Sequence, residues 1–201
     1  MYMNNLSDIF YINLDHRTDR RQEFEAECKR MGIVATRFAA IPHPYGLIGC
    51  LKSHLAVLKI ARQRKLKNVL IFEDDFQFLV SKEELSNELE KLFASEEPFD
   101  VVMLGYNLKK YNDFNDYLVK VLEAQTASAY IVHERFYNTL INLYERTLPE
   151  LIQTKLWDLY ANDQVWKQLQ PRARWYAFKT RIGKQRMSYS DTTGKMEEYG
   201  V

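Results

Sequence analysis

Glycine and proline are both scarce: the 201 residues include 7 and 5 of them, below the usual shares of about 7% and 5%. This excludes collagen-like repeats and Gly/Ser- or Pro-rich linkers, and predicts dense regular structure with short loops. No Walker-type lysine loop and no GxGxxG run follows the first apolar segment, which argues against a P-loop NTPase or a dinucleotide-binding dehydrogenase. The 2 cysteines, Cys28 and Cys50, are too few for a disulfide scaffold and lack zinc-site spacing, so buried reduced thiols are expected. A GxSxG nucleophile elbow is missing, so a hydrolase triad has no support. Cationic excess is missing too: 28 Lys plus Arg against 27 Asp plus Glu leave a net charge of +1, which removes the electrostatic case for nucleic acid. No apolar run nears the roughly 18 residues of a membrane span. Met1–Asp8 is polar and does not read as a secretory leader. The expectation is a soluble, cytoplasmic, single domain over 1–201, or an intracellular-type domain cut from something larger, with a polar tail over 181–201 whose ordering the residues leave open. Its hydrophobic share of 46% is enough for a sizeable core.

What the chain does contain is an alternation of strands and helices. Asp8–Leu14 reads as a buried strand, followed by a charged helix with Thr18 as N-cap and Gly32 near its end. Ile33–Ala40 reads as a second strand. Ile48–Arg64 is amphipathic, with Leu51, Leu55, Leu58 and Ala61 on one face. Asn68–Phe72 is a continuous apolar run of the kind found in central strands. An acidic helix is expected over Lys82–Phe93 and a strand over Asp100–Leu104. Two weaker strands fall at Tyr117–Glu123 and Ser128–Val132, helices at Arg135–Glu145 and over much of Lys155–Gln170, and a last strand at Trp175–Phe178. This order predicts an α/β fold, one Rossmann-like, mostly parallel sheet flanked by helices. In such sheets ligands bind at the carboxyl ends of the strands.

The segment with the most chemistry sits at such an end. Glu73, Asp74 and Asp75 follow the apolar strand directly. Three adjacent carboxylates in a partly desolvated place repel one another unless a cation joins them. In an extended chain Glu73 and Asp75 point to one side and Asp74 to the other. Glu73 and Asp75 are therefore the candidate ligands of Mg²⁺ or Mn²⁺, which take one or two carboxylates plus substrate phosphates. A solvated acidic turn is the alternative. Arg17 and Arg20, at the start of the first helix, suit an anion or simply form a solvated basic face. Gly49 permits close backbone approach, and Ser53 and His54 lie in the following helical turns. Trp157, Tyr160, Trp166, Trp175 and Tyr176 gather late in the chain; most are expected in the core, with one or two left for a ligand.

Taken in order, these pieces resemble glycosyltransferase family 25, the lipooligosaccharide and collagen-galactosyltransferase type. The segments that carry the resemblance are Tyr11-Ile-Asn-Leu-Asp-His-Arg-Thr-Asp-Arg20, Ile48-Gly-Cys-Leu-Lys-Ser-His-Leu55 and Val69-Leu-Ile-Phe-Glu-Asp-Asp75. Thr126–Val132, Ala161-Asn-Asp-Gln164 and Gly183–Asp191 match later parts of the family pattern. The resemblance implies a GT-A fold, a nucleotide-sugar donor (UDP-glucose or UDP-galactose) and a Mn²⁺- or Mg²⁺-type metal. It implies an acceptor hydroxyl on a glycan or a hydroxylated protein side chain, and usually inverting transfer. Carried over by position, Glu73-Asp74-Asp75 is the DxD-like element. Asn13, Leu14, Arg17 and Arg20 meet the nucleotide, with Ser53 and His54 beside the same cleft. Asp163 is the candidate general base and Asp158 its rival. Gln185, Ser190 and Asp191 close over the diphosphate. A non-catalytic nucleotide-sugar or glycan-binding module, or a sugar nucleotidyltransferase, are the alternatives. The nucleotidyltransferase is disfavoured because Asp15-His16-Arg17 offers no glycine-rich loop.

Overall fold

A computed structural model describes residues 6–186, 188–190 and 195–197. Six strands form the main sheet: β1 (Ile9–Asn13), β2 (Thr36–Ala39), β3 (Asn68–Glu73), β5 (Val101–Asp113), β6 (Leu118–His133) and β7 (Trp175–Phe178), in the order β2-β1-β3-β6-β5-β7. Only β6 runs against the others, so the sheet is mostly parallel, as expected. The helices are α1 (Thr18–Met31), α2 (Gly46–Gln63), α3 (Lys82–Ala94), α4 (Tyr137–Thr154), α5 (Trp157–Tyr160) and α6 (Asn162–Val165). No helix among the described residues is long and apolar enough to cross a membrane.

The central strands bury both faces, and their side chains alternate between two cores. Phe10, Ile12, Val69, Ile71, Val101 and Met103 pack toward α2 and α4. Ile9, Tyr11, Leu70, Phe72, Val102 and Leu104 pack toward α1 and α3. The same alternation makes the register costly to shift, because one step would exchange the two cores.

Several boundaries differ from the sequence expectation: the strand expected over Asp100–Leu104 runs on to Asp113, and the one expected over Ile33–Ala40 is confined to Thr36–Ala39. Arg17, not Thr18, stands at the N-cap of α1, and its side chain does not cap the helix; it pairs with Asp19 instead. The two weak strands are one 16-residue strand, β6, pivoting at Thr126 with φ 79°. Helix α4 runs on to Thr154 through Pro149. The expected helix over Lys155–Gln170 is broken into α5, α6 and a 3₁₀ turn, Trp166–Gln168, because Ala161 is extended (φ −62°, ψ 152°). Apolar spacing alone cannot register such a break, since both halves keep inward-facing residues.

The expected tail begins with ordered structure. Strand β4 (Phe76–Phe78), just after the acidic turn, pairs antiparallel with β8 (Gly183–Gln185), Phe76 opposite Gln185. Strands β9 (Ser188–Ser190) and β10 (Lys195–Glu197) pair antiparallel as a separate two-stranded sheet. Gly183 is required for the first pairing: a Cβ there would lie 2.1 Å from Phe76 Cζ and 2.6 Å from the Gln77 carbonyl oxygen. Gly183→Ala is expected to destabilise the fold by about 1–3 kcal/mol, the usual cost of overpacking. A lower urea midpoint at unchanged m-value is the readout; an unchanged midpoint would mean that β8 is not held against Phe76.

Candidate active site

A cleft of about 830 Å³ opens at the carboxyl ends of β1 and β3 and takes in the whole acidic turn. This volume lies in the range of small-molecule sites. Strand β3 ends at Glu73, and Asp74 and Asp75 form the turn into β4. Strand alternation therefore does not extend across the triplet. Asp74 and Asp75 converge on one guanidinium: Arg20 Nη1 donates to Asp74 Oδ1 at 3.0 Å and to Asp75 Oδ2 at 3.2 Å. This corrects the expectation that Asp74 faces away from its neighbours.

The three carboxylates have different partners. Asp74 has both oxygens engaged, because Asn13 Nδ2 donates to Oδ2 at 2.7 Å. Asn13 is 1% exposed and is itself held by Arg37, whose Nε donates to Asn13 Oδ1 at 2.9 Å. Asn13 thus acts on the turn from below; it does not line the cleft. Glu73 receives His54 Nε2 at 3.0 Å on Oε1 and Gln185 Nε2 at 3.4 Å on Oε2. The other ring nitrogen of His54 lies 2.8 Å from the Tyr130 hydroxyl, buried and stacked against the imidazole. One ring nitrogen of His54 thus faces the Glu73 carboxylate and the other the Tyr130 hydroxyl. Asp75 Oδ1 is different: it is buried and makes no hydrogen bond among the described residues.

Electrostatics follow these contacts. Burial, then the charge of Glu73, raises Asp75 to about 7 against the pull of Arg20. Burial also raises Asp74, opposed by Arg20 and Asn13. For Glu73 burial acts upward, but the His54 hydrogen bond and charge outweigh it and leave the carboxyl lowered. A buried oxygen without a donor, on a carboxyl whose charge is disfavoured, fits a hard cation, and carboxylate oxygen is the donor that Mg²⁺ and Mn²⁺ prefer. Asp75 has an oxygen to offer; both oxygens of Asp74 and both of Glu73 already accept hydrogen bonds, the longest of them from Gln185 Nε2 to Glu73 Oε2 at 3.4 Å. Cys50 Sγ, His54 and Glu73 also place ligand atoms within 4.8 Å of one another. That trio is already closed on itself by hydrogen bonds. Burial also pushes the Cys50 thiol well up, so it is a poor metal ligand.

The opposite wall comes from the broken segment after α4. Asp163, half-buried on α6, lines the cleft. Its Oδ2 accepts the Thr126 N–H at 3.0 Å and its Oδ1 accepts Gln164 Nε2 at 3.3 Å. Burial raises Asp163, and the Glu73 charge adds to this. Thr126 reaches it only by adopting φ 79°, which is costly for a β-branched residue. Asp158 is exposed and does not line the cleft. Trp166 and Trp175 are fully buried and Tyr176 is 5% exposed, so they belong to the core; Trp157 is 57% exposed and does line the cleft.

The remaining candidates divide in the same way. Leu14, Arg20, Ser53, His54 and Gln185 line the cleft. Ser53 has structural work there: its hydroxyl donates to the Gly49 carbonyl at 2.7 Å and accepts the Ile41 N–H at 2.9 Å. A Cβ at Gly49 would lie 2.5 Å from the Ile41 oxygen, so glycine lets α2 approach this loop. Arg17 is turned to Asp19. Arg186 fastens β8 to the turn, its N–H donating to the Asp75 carbonyl at 2.8 Å. Ser190 lies in β9, and Asp191 falls outside the described residues. Sequence reasoning passed over Tyr130, Thr126 and Asn162, although each stands inside a segment it had singled out.

Comparisons with known proteins bear on this geometry. A family model described as "Glycosyltransferase family 25 (LPS biosynthesis protein)" matches residues 45–155, from the start of α2 through the acidic turn to the end of α4. A Drosophila melanogaster "Glycosyltransferase 25 family member" is 32% identical over 101 residues, taking in 36% of this chain and 16% of the fly protein. The chain therefore spans only that 16% of the curated relative. Among solved structures, a glycosyltransferase involved in glycosylation of the major capsid of PBCV-1 aligns with TM-score 0.56 and 11% identity, over 92% of this chain and 95% of that one. A197 from STIV aligns with TM-score 0.55 and 13% identity, over 95% and 93%. These two likenesses show the fold, which is GT-A-like. Since the family match covers more than half of the chain and contains the acidic turn, the chain belongs to glycosyltransferase family 25.

Proposed function

We propose that this cleft transfers a hexose from a UDP-sugar, UDP-glucose or UDP-galactose, to a hydroxyl of a glycan or hydroxylated side chain, with a divalent cation and inversion at the anomeric carbon. The observation that carries this reading is the buried, unsatisfied Asp75 Oδ1 in the same cleft as Asp163. Asp75, with Glu73 behind it, would hold Mn²⁺ or Mg²⁺, and that ion would neutralise the charge growing on the departing diphosphate. Arg20 keeps Asp74 and Asp75 in place. The Tyr130–His54–Glu73 chain fixes the Glu73 carboxyl.

Asp163 acts on the acceptor side. Its carboxylate takes the proton of the acceptor hydroxyl as that oxygen attacks the anomeric carbon. The new C–O bond forms while the bond from that carbon to the diphosphate oxygen breaks. The bonding pair leaves with the nucleoside diphosphate. The raised Asp163 pKa makes it a stronger base than an exposed carboxylate. A single base opposite the leaving group is the requirement of an inverting displacement.

A thermal-shift screen of UDP-, GDP- and other nucleotide-sugars, with and without Mn²⁺, tests the reading. At a hundredfold excess over Kd, a native-state ligand adds about 2.7 kcal/mol, or roughly 5–10 °C in Tm for a domain of this size. The expected result is such a rise with UDP-glucose or UDP-galactose plus Mn²⁺, together with slow UDP release. A preference for GDP-sugars would overturn the donor assignment, and no response to any nucleotide-sugar would overturn the function.

A further inference from the structure

We propose that Trp157 and Asn162 form the acceptor subsite, and that its occupant is a pyranose ring of a saccharide, not a hydroxylated amino-acid side chain. This rests on the reading of the cleft as a sugar-transfer site and narrows its acceptor. Two independent observations carry it. Trp157 is 57% exposed, while the other two tryptophans of the chain are fully buried. It stands on α5 at the cleft wall, between the exposed Leu156 and Leu159. An indole held in water at the edge of the cleft is a platform awaiting an apolar face, and the C–H face of a pyranose is such a face.

The second observation is Asn162. It is 5% exposed, lines the same cleft, and directly precedes Asp163. Its Nδ2 is buried and makes no hydrogen bond among the described residues. Buried amides seldom stay unpaired, and one that does at a ligand cleft marks a bond the ligand completes. Nδ2 offers only donors, so its partner must be an acceptor oxygen. A sugar hydroxyl next to the one that Asp163 deprotonates meets that need. A linear hydroxylated side chain can also offer a hydroxyl oxygen to Nδ2, but its narrow chain presents no flat C–H face to the indole, so Trp157 is what distinguishes the two. Platform, donor and base thus lie within seven consecutive residues, Trp157–Asp163.

The test uses the full chain with acrylamide quenching of tryptophan fluorescence. The probes are methyl glucoside, methyl galactoside, methyl N-acetylglucosaminide and a hydroxylysine peptide. Trp157 is the tryptophan that acrylamide reaches. The expected result is that at least one pyranoside protects it in the wild-type protein, with or without donor, and that the peptide does not. In turnover, Trp157→Ala should raise the KM for that pyranoside by ~10-fold or more, the effect of removing a central aromatic contact. The KM for the donor should move far less. Trp157→Phe should recover part of the loss, and Asn162→Ala should also raise the acceptor KM. Protection without any donor turnover would uphold the subsite and refute the transfer reading. Donor turnover with no pyranoside protection, or with an unchanged acceptor KM in Trp157→Ala, would overturn the subsite alone.

Discussion

Asp75→Asn is expected to cut Mn²⁺-dependent kcat/KM for the UDP-sugar by ~10³-fold or more, while the folded protein becomes more stable. The two effects have one cause. Asp75 sits buried beside Glu73 and Asp74, and its carboxyl is raised to about 7, first by burial and then by Glu73. An acid whose folded pKa lies above its unfolded value binds more protons when folded. It therefore costs stability above that folded value, and the cost is relieved as pH falls from about 7 toward about 4. A neutral amide of the same shape removes the cost and loses the negative oxygen that a cation needs. Each tenfold in rate is about 1.4 kcal/mol, so a 10³-fold loss asks the lost metal contact for about 4 kcal/mol, within what metal polarisation supplies. Melts in EDTA at pH 7.5 should show a higher Tm for the variant, and wild-type melts should rise between pH 8 and pH 5.5 by more than those of the variant. Retained Mn²⁺-dependent turnover would remove Asp75 from the metal site.

This trade between stability and function explains why the acidic turn was legible in sequence while its geometry was not. Three carboxylates after Val69-Leu-Ile-Phe72 break the rule that buried strand ends avoid unpaired charge. Such a violation points to function without structural knowledge. Where each carboxylate points depends on the turn at Asp74 and Asp75, and on Arg20 arriving from α1, 54 residues away in sequence from Asp74. Alternation is a property of strands and stops where the strand stops. Asn13 is a similar case. Its place at the end of β1 was readable, but its role as a brace under Asp74 arises from the pairing of β1 with β3.

The opposite wall was legible in composition and not in shape. Trp157 through Gln170 carries aromatic and apolar residues at spacings that one helix would satisfy. The chain breaks at Ala161, and that break lets Trp157 leave the core while Trp166 stays in it, stacked edge-on against Tyr130 and Trp175. The left-handed backbone of Thr126 is equally invisible from sequence, since a β-branched residue gives no sign of adopting it. Both irregularities meet at Asp163, where local propensity yields to the site.

Asp163→Asn is the second large effect: kcat should fall by ~10³-fold, with the donor Kd changed less than about threefold. The asparagine keeps an oxygen to accept the Thr126 N–H, so the strained turn of β6 retains its partner at the 3.0 Å contact. What it loses is the capacity to take a proton, and removal of a general base costs about 10²–10⁴ in rate. Calorimetry of UDP-sugar binding separates this from a donor-site defect. Binding retained with transfer lost identifies the base; binding lost with it would make Asp163 a donor-site or structural residue. The pH profile gives a further check. Because burial raises Asp163, the acid limb of wild-type kcat should lie above the ordinary aspartate range and vanish in the variant. Asp158, exposed and away from the lining of the cleft, supplies the comparison: Asp158→Asn should keep both donor binding and the acid limb. If Asp158→Asn instead loses transfer and Asp163→Asn keeps it, the proton leaves the acceptor on the outer side of α5, and the wall built from Thr126 and α6 serves only to shape the cleft.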